Sequence, residues 1–115
     1  MPVFHKVEGG ALIVTVDGDF TANEVVRVGS TGLGAEEVIS PAFLLLDLTG
    51  TASIGEDRLQ TIADFFAGPG TPVAKLAVVA GNDVATVIVG AATASGMESD
   101  SFKRKADAMD WLLGV

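Results

Sequence analysis

Acidic side chains at the ends of short apolar runs are the residues of this chain that could do chemistry. Asp17, Asp19 and Asp47 each lie at or just after the end of such a run. Grouped carboxylates can hold Mg²⁺ beside a phosphoryl group. Such a site also needs a cation to bind the phosphate, and Lys75 lies at the opposite end of its own apolar run. The sequence therefore favours helix capping and solvation of these acids over a metal-phosphoryl site.

Oxygen-bearing side chains at alternate positions also suggest the opening of a calcium loop, and they are Asp17, Asp19, Thr21 and Asn23. A calcium loop needs Gly at its sixth position and Glu at its twelfth, where this chain has Ala22 and Val28. Thr21 and Glu24 instead have the spacing of a capping box, in which a hydroxyl and a carboxylate each accept a free backbone N–H. We therefore predict a helix that begins near Ala22.

The counts of cysteine and histidine exclude several classes of active site. Among its 115 residues the chain has no cysteine and a single histidine. A zinc centre, a disulfide scaffold, a thiol enzyme and a Cys-His pair are therefore excluded. His5 lies in a β-favouring run with no Ser-Asp pairing to orient it, so it is interpreted as an ordinary strand residue. We expect a protein that is not an enzyme and that needs no cofactor.

The charge balance limits the partners. Fifteen acidic residues against seven basic ones give a formal net charge of -8, which repels phosphate backbones, so we do not expect nucleic acid as a partner. The apolar run 84–94 is about half of a membrane span, and the first residues do not form a secretory signal, so a cytoplasmic protein is expected. The basic run 103–105 could discourage edge pairing or contact an acidic face of a second copy in a homodimer.

Hydrophobic patterning predicts the elements that position these residues. The order is β-β-α-β-α-β-α-β-α within one domain over residues 1–115, which indicates an α/β fold with a mixed, mostly parallel sheet of about five strands and about four helices. Residues 42–48 are continuously apolar, as in a central strand covered on both faces. We expect the first helix to fray early, with Gly29, Gly32 and Gly34 in a loop. Strands are predicted at 3–7 and 11–16, which the turn Glu8-Gly9-Gly10 joins in an opening hairpin, and at 42–48, 74–79 and 101–104, and the last helix at 106–113.

Two further helices have clear apolar stripes. In the helix after the central strand, the inward positions are Leu59, Ile62, Ala63 and Phe66. In the third helix they are Val84, Val87, Ile88, Ala91 and Ala92. Both stripes have the i, i+3, i+4, i+7 spacing that buries one face of a helix. Phe65 and Val89 lie beside the stripes, where they either pack at the rim of the core or form part of an exposed apolar patch.

Four segments in this order resemble the STAS domain family, which includes the sporulation-type, SpoIIAA-like anti-sigma factor antagonists. They are Val16-Asp17-Gly18-Asp19-Phe20-Thr21, Leu44-Leu45-Leu46-Asp47-Leu48-Thr49, the run 74–81, and Ala108-Met109-Asp110-Trp111-Leu112. The resemblance covers nearly the whole chain and depends on the order and spacing of the segments. Within the family, the chain is most similar to a single-domain branch with combined STAS and CRAL-TRIO character.

The resemblance implies a regulatory domain that binds a partner protein, such as an anti-sigma-type regulator, through the loop after the central strand and the helix that follows. The corresponding residues of this chain are Asp47, Thr49, Thr51, Ser53, Glu56, Asp57 and Arg58. In the antagonists, this loop carries a serine that a partner kinase phosphorylates. Glu56 and Asp57 occupy the serine positions here. The site is then either permanently acidic, like the phosphorylated state, or it has left that pathway.

The CRAL-TRIO side of the resemblance implies a different function, which is binding a small apolar ligand or lipid between the helices and the sheet. The residues that would permit a cavity are Phe65, Phe66, Val89, Gly90, Ala91 and Ala92. The same residues equally permit close packing of helices on the sheet.

Overall fold

Helices and strands alternate along the chain in the order that the hydrophobic pattern predicts. The computed structural model describes residues 3–17, 21–34, 36, 38, 42–50, 56–66, 73–80 and 84–114, with the side chains of 56, 58, 59, 84 and 85 left out of the description. The elements are β1 (Val3–Glu8), β2 (Ala11–Asp17), α1 (Ala22–Leu33), β3 (Ala42–Gly50), α2 (Glu56–Phe66), β4 (Val73–Val79), α3 (Val84–Ala94), β5 (Glu98–Phe102) and α4 (Lys105–Leu113). Within these segments, no helix has both the length and the apolar character needed to cross a membrane.

The five strands form one sheet in the order β1-β2-β3-β4-β5. β1 is antiparallel to β2, and the other three neighbouring pairs are parallel. A two-residue turn joins β1 to β2, with φ of 59° at Gly9 and 85° at Gly10. Positive φ at both positions is the geometry of the tight turns that suit twisted hairpins, and glycine adopts it without strain. The predicted opening hairpin is confirmed.

The two faces of the sheet carry different numbers of helices. Each parallel connection moves one strand further in the same direction, and α1, α2 and α3 lie on one face of the sheet. Their core includes Leu44 and Leu46 from the central strand and Phe66 from α2, all fully buried. α4 lies on the opposite face, where Leu112 packs against Ile13 and Leu45 of the sheet. The apolar central strand is covered on both faces, as predicted.

The capping box at the start of α1 is present. The Glu24 backbone N–H donates to Thr21 Oγ1 over 3.2 Å, and the Thr21 backbone N–H donates to Glu24 Oε1 over 3.0 Å. Two backbone donors that the helix itself leaves free are satisfied in this way. Of the side chains whose oxygens alternate in this segment, Thr21 therefore caps a helix.

α1 does not fray at its glycines, which corrects the expectation of an early end and a glycine loop. The helix continues to Leu33, and Gly29 and Gly32 are buried within it. A Cβ at Gly29 would lie 3.0 Å from Cζ of Phe66, and one at Gly32 would lie 2.6 Å from Cδ1 of Leu12. The two glycines therefore let α1 approach α2 and the sheet closely, and tertiary packing overrides their low helix propensity.

The bounds of β5, the place of the basic run and the exposure of one residue on α3 also differ from the expectations. β5 covers Glu98–Phe102 rather than 101–104, because it pairs in register with Lys75 to Val79 of β4. The basic run 103–105 therefore follows the edge strand and leads into α4. On α3, Val87 is 42% exposed and does not belong to the inward stripe, whereas Ile88 is fully buried.

Candidate functional site

Asp47 and Thr49 form a hydrogen-bonded unit at the carboxyl end of the central strand. Asp47 Oδ1 accepts the backbone N–H of Thr49 over 3.0 Å and the Thr49 hydroxyl over 2.7 Å. Asp47 is half-buried and Thr49 is exposed. Such a local turn holds the carboxylate in one orientation before the chain leaves the sheet. Both residues were predicted from the sequence as part of the contact surface.

The strand pairing is irregular at this point. Thr15 pairs with Asp47 and Asp17 pairs with Gly50, so two steps along β2 correspond to three along β3. An extra residue in one strand bends it locally and changes the direction of the side chains. Gly50 lies against Asp17, since a Cβ at this position would be 2.5 Å from Asp17 Oδ1. The irregularity therefore brings the end of β3 against the carboxylate at the end of β2.

α2 begins with three of the residues that the STAS resemblance predicts as part of a contact surface. Glu56, Asp57 and Arg58 form its first turn, and the side chain of Asp57 is exposed. Acidic side chains in a first turn are favoured by the partial positive charge of the helix N-terminus. Thr51 and Ser53, the other two predicted contact residues, lie outside the described residues.

No cation balances the carboxylates of Asp17 and Asp47 among the described residues, whose ion pairs lie elsewhere. These pairs are Lys6–Glu8 at 2.7 Å, Lys75–Glu98 at 3.2 Å and Arg104–Asp107 at 3.1 Å. In the described segments, no three acidic or histidine side chains are grouped so as to hold a metal ion. Asp19, the third acid of the predicted group, lies outside these segments. The described carboxylates therefore give this edge of the sheet a negative potential without forming a metal centre.

The aromatic residues expected to line an apolar cavity pack against each other. The rings of Phe65 and Phe66 meet edge to face with their centroids 4.8 Å apart. Phe66 and Ala92 are fully buried, while Phe65, Val89 and Ala91 pack around the same core. This arrangement matches the close-packing alternative at these positions. Binding of a small apolar ligand between the helices and the sheet stays a prediction.

A groove that the sequence reading missed lies between the edge strand β1 and α1. It has a volume of about 440 Å³ and is lined by Val3, Phe4, His5, Arg27, Val28 and Thr31. Its one sequence signal is Phe4, which alternates with the inward residues Val3 and His5 and should therefore face outward. Phe4 is 50% exposed. The helix residues of the groove carry no such signal, because an arginine and a threonine on an outer helix face are common.

One solved structure has the same architecture over almost the entire chain. No family model matches the chain, and no curated protein matches it. The solved structure is an uncharacterized protein of the DUF3478 family from Shewanella loihica PV-4, described as having a SpoIIAA-like fold. The identity is 16%, the match covers 96% of this chain and 91% of the other, and the TM-score is 0.65. This chain therefore has a SpoIIAA-like fold, which confirms the fold that the STAS resemblance implied.

Proposed function

We propose that this protein is a non-enzymatic regulatory domain that binds a partner protein at the carboxyl edge of β3 and the first turn of α2. The observation that carries the proposal is the fixed Asp47–Thr49 unit at the strand end, with the exposed Asp57 opening the next helix. The SpoIIAA-like fold supports the assignment, since the corresponding edge is the contact surface in the antagonists that the sequence resembles.

The charge of this edge supports a partner with a basic surface. Asp17, Asp47 and Asp57 contribute carboxylates that no cation of the described residues neutralises. A partner with a basic surface would approach such an edge faster and bind it more selectively than a neutral or acidic one. We therefore propose a basic partner surface, such as that of an anti-sigma-type regulator.

Regulation would differ from a serine switch. Phosphorylation of a serine adds about two negative charges, which can disrupt or create a contact. Glu56 and Asp57 already place two negative charges at these positions. The proposed contact is therefore constitutive, and its affinity would depend on ionic strength rather than on a kinase.

Photo-crosslinking from the purified protein in a lysate of its own host tests the proposal. A photoreactive amino acid replaces Asp57, and the matched control replaces Asp110, which is another exposed acid, on α4. We expect a discrete partner to be linked from position 57 and not from position 110. The partner is then purified and its affinity is measured by calorimetry.

The charge-reversal variant Asp57→Lys should weaken binding of that partner by about tenfold or more, as expected for loss of a paired interfacial charge. The control Asp110→Lys should leave the affinity unchanged. Equal crosslinking from both positions, or equal affinity of wild type and Asp57→Lys, would place the interface elsewhere.

A further inference from the structure

β1 is an open edge of the sheet. Among the described residues it pairs only with β2, over six consecutive positions without an irregularity. In an antiparallel pair, every second residue of the outer strand directs its N–H and C=O away from its neighbour. β1 therefore offers a row of unpaired backbone groups about 20 Å long.

The opposite edge of the sheet is less suited to pairing. β5 has five residues, and its sequence Glu98-Ser99-Asp100-Ser101-Phe102 includes two acids and no base. Short strands and charged side chains are the usual protection of an edge. β1 is one residue longer, the charges of Lys6 and Glu8 cancel in an ion pair, and Phe4 is half-exposed.

The groove beside β1 adds side-chain pockets to this backbone edge. Val3 and Val28 are 1% and 8% exposed and form its apolar base. Arg27 lies at its rim with an exposed side chain. Within the described part of the chain, the Arg27 guanidinium makes no ion pair. The groove therefore combines a strand edge, an apolar base and a free cation.

We propose that this groove binds an extended peptide segment of a partner protein, which adds a strand to β1. A large apolar side chain of the segment packs against Val3 and Val28, and a carboxylate of the segment pairs with Arg27. Strand addition obtains affinity from main-chain hydrogen bonds and specificity from pockets for alternate side chains. This surface is separate from the contact proposed at β3 and α2 and adds a second binding function to the domain.

The observations favour a peptide over a small apolar ligand. A hydrocarbon ligand can fill the space above Val3 and Val28, but it leaves the N–H and C=O groups along β1 without partners. A second extended backbone satisfies these groups along the whole strand.

The observations also favour a peptide over a second copy of this chain. If the β1 strands of two copies paired, the two sheets would form one continuous sheet with the α1 helices of both copies on the same face. Val3 and Val7 pack on that face, and Glu8 lies on the other one by the alternation of the strand. The second copy would therefore bring no β1 carboxylate to Arg27, and two chains of charge -8 repel each other.

Selection from a random heptapeptide phage library tests the proposal. The targets are the wild-type protein, Arg27→Glu and, as a matched control, Lys103→Glu, which reverses an exposed cation outside the groove. We expect wild type and Lys103→Glu to enrich peptides with an Asp or Glu at a fixed distance from a large apolar residue. Arg27→Glu should lose the acidic residue and enrich Lys or Arg instead. Absence of enrichment on wild type, or the same enriched peptides on Arg27→Glu, would refute the proposal.

NMR locates the site with the most enriched peptide as a synthetic probe. Amide shifts should change along β1 and α1, and the affinity should fall about fivefold in Arg27→Glu, as expected for an exposed ion pair. Thr31→Phe, which fills the groove from an exposed position, should abolish binding. Shift changes confined to β3 and α2 would contradict the assignment.

Two further measurements test the two competing occupants of the groove, a small amphipathic ligand and a second copy of the chain. Dodecanoate is the probe for a small amphipathic ligand, and sedimentation of the free protein is the probe for self-association. We expect no dodecanoate shifts at β1 and a monomer whose β1 amides do not change with concentration. Dodecanoate binding at β1 without peptide binding, or a dimer formed through β1, would overturn the proposal.

Discussion

Lys75 connects the last helix to the sheet through several contacts at once. Its Nζ lies 3.2 Å from Glu98 Oε2 and donates to the backbone carbonyl of Trp111 over 3.4 Å. The same Nζ lies 4.7 Å from the centre of the Trp111 ring and 5.8 Å from that of Phe43. A cation near the last carbonyls of a helix is favoured by the helix dipole, and the half-buried rings strengthen the cation–π contact.

Replacing this cation should loosen α4. We expect Lys75→Met to lower the free energy of unfolding by about 1–2 kcal/mol, because the aliphatic stem is kept while the hydrogen bond and the cation–π contact are lost. Urea unfolding followed by circular dichroism measures the effect, and the fluorescence of Trp111, the only tryptophan, reports on the local change. The matched control Lys103→Met removes an exposed cation and should change little; equal losses in both variants would contradict the assignment.

The Lys6–Glu8 pair should be visible in titration rather than in stability. The hydrogen bond from Lys6 lowers the pKa of the Glu8 carboxyl and raises the pKa of Lys6 itself. The contribution of Glu8 to the stability of the folded protein is therefore present above the pKa that Glu8 has in the unfolded chain. It is lost as the pH falls through the lower pKa of Glu8 in the folded protein.

An NMR titration of the Glu8 carboxyl should give a pKa below the usual glutamate value in wild type and a normal one in Lys6→Gln. Because both side chains are exposed, we expect no measurable difference in unfolding free energy between the two proteins. A Glu8 pKa that is unchanged in Lys6→Gln would exclude the ion pair in solution.

At the scale of elements, two glycines in helices should respond oppositely to alanine. A Cβ at Gly32 would lie 2.6 Å from Cδ1 of the fully buried Leu12, whereas a Cβ at Gly90 meets no atom within 4 Å. Gly90→Ala should stabilise the protein by about 0.5–1 kcal/mol through helix propensity. Gly32→Ala should destabilise it by about 1–2 kcal/mol, because overpacking exceeds that gain. Urea unfolding of both variants checks the signs, and stabilisation by both would show that α1 can move away from the sheet.

The elements differ in how much of them the sequence could predict. The strand order along the chain, the capping box at Thr21 and the Gly9–Gly10 turn follow from local chemistry, and all were predicted. The length of α1 depends on what Gly29 and Gly32 contact, which a local pattern does not contain. The position of β5 depends on its pairing with β4, and the exposure of Val87 depends on the placement of α3.

The candidate site was likewise only partly predictable from the sequence. Asp47 was predicted from its place at the end of the central strand, where strand ends and helix starts of an α/β sheet meet at one edge, and Asp57 was predicted from the STAS resemblance. The register irregularity that brings Asp17 to Gly50 could not be predicted, because it arises between two strands. The β1 groove was missed for the same reason, since residues of α1 and β1 line one groove only when α1 lies beside the edge of the sheet.

For the whole molecule, the net charge of -8 predicts a salt-dependent stability. An excess of acids destabilises the compact state by self-repulsion, and salt screens it. We expect the urea midpoint to rise between low salt and about 0.3 M NaCl, where the Debye length is shorter than 10 Å. The same measurement in sodium sulfate at equal ionic strength separates the two effects of a salt. Charge screening is the same in both salts, whereas preferential exclusion from the protein surface is stronger for sulfate. A midpoint that is unchanged or falls in both salts would show that the charges are too dispersed to repel.

The order β1-β2-β3-β4-β5 also has a consequence for how the chain folds. Every strand pairs with strands that are its neighbours along the chain. Each parallel pairing still spans a crossover that contains a helix, and such pairing between distant residues forms more slowly than the local contacts of a helical bundle. During synthesis, the β1–β2 hairpin can form first and each later helix and strand can add to a growing edge. α4 is added last, and until it docks, Ile13, Leu45 and Ala77 remain exposed to water on the opposite face.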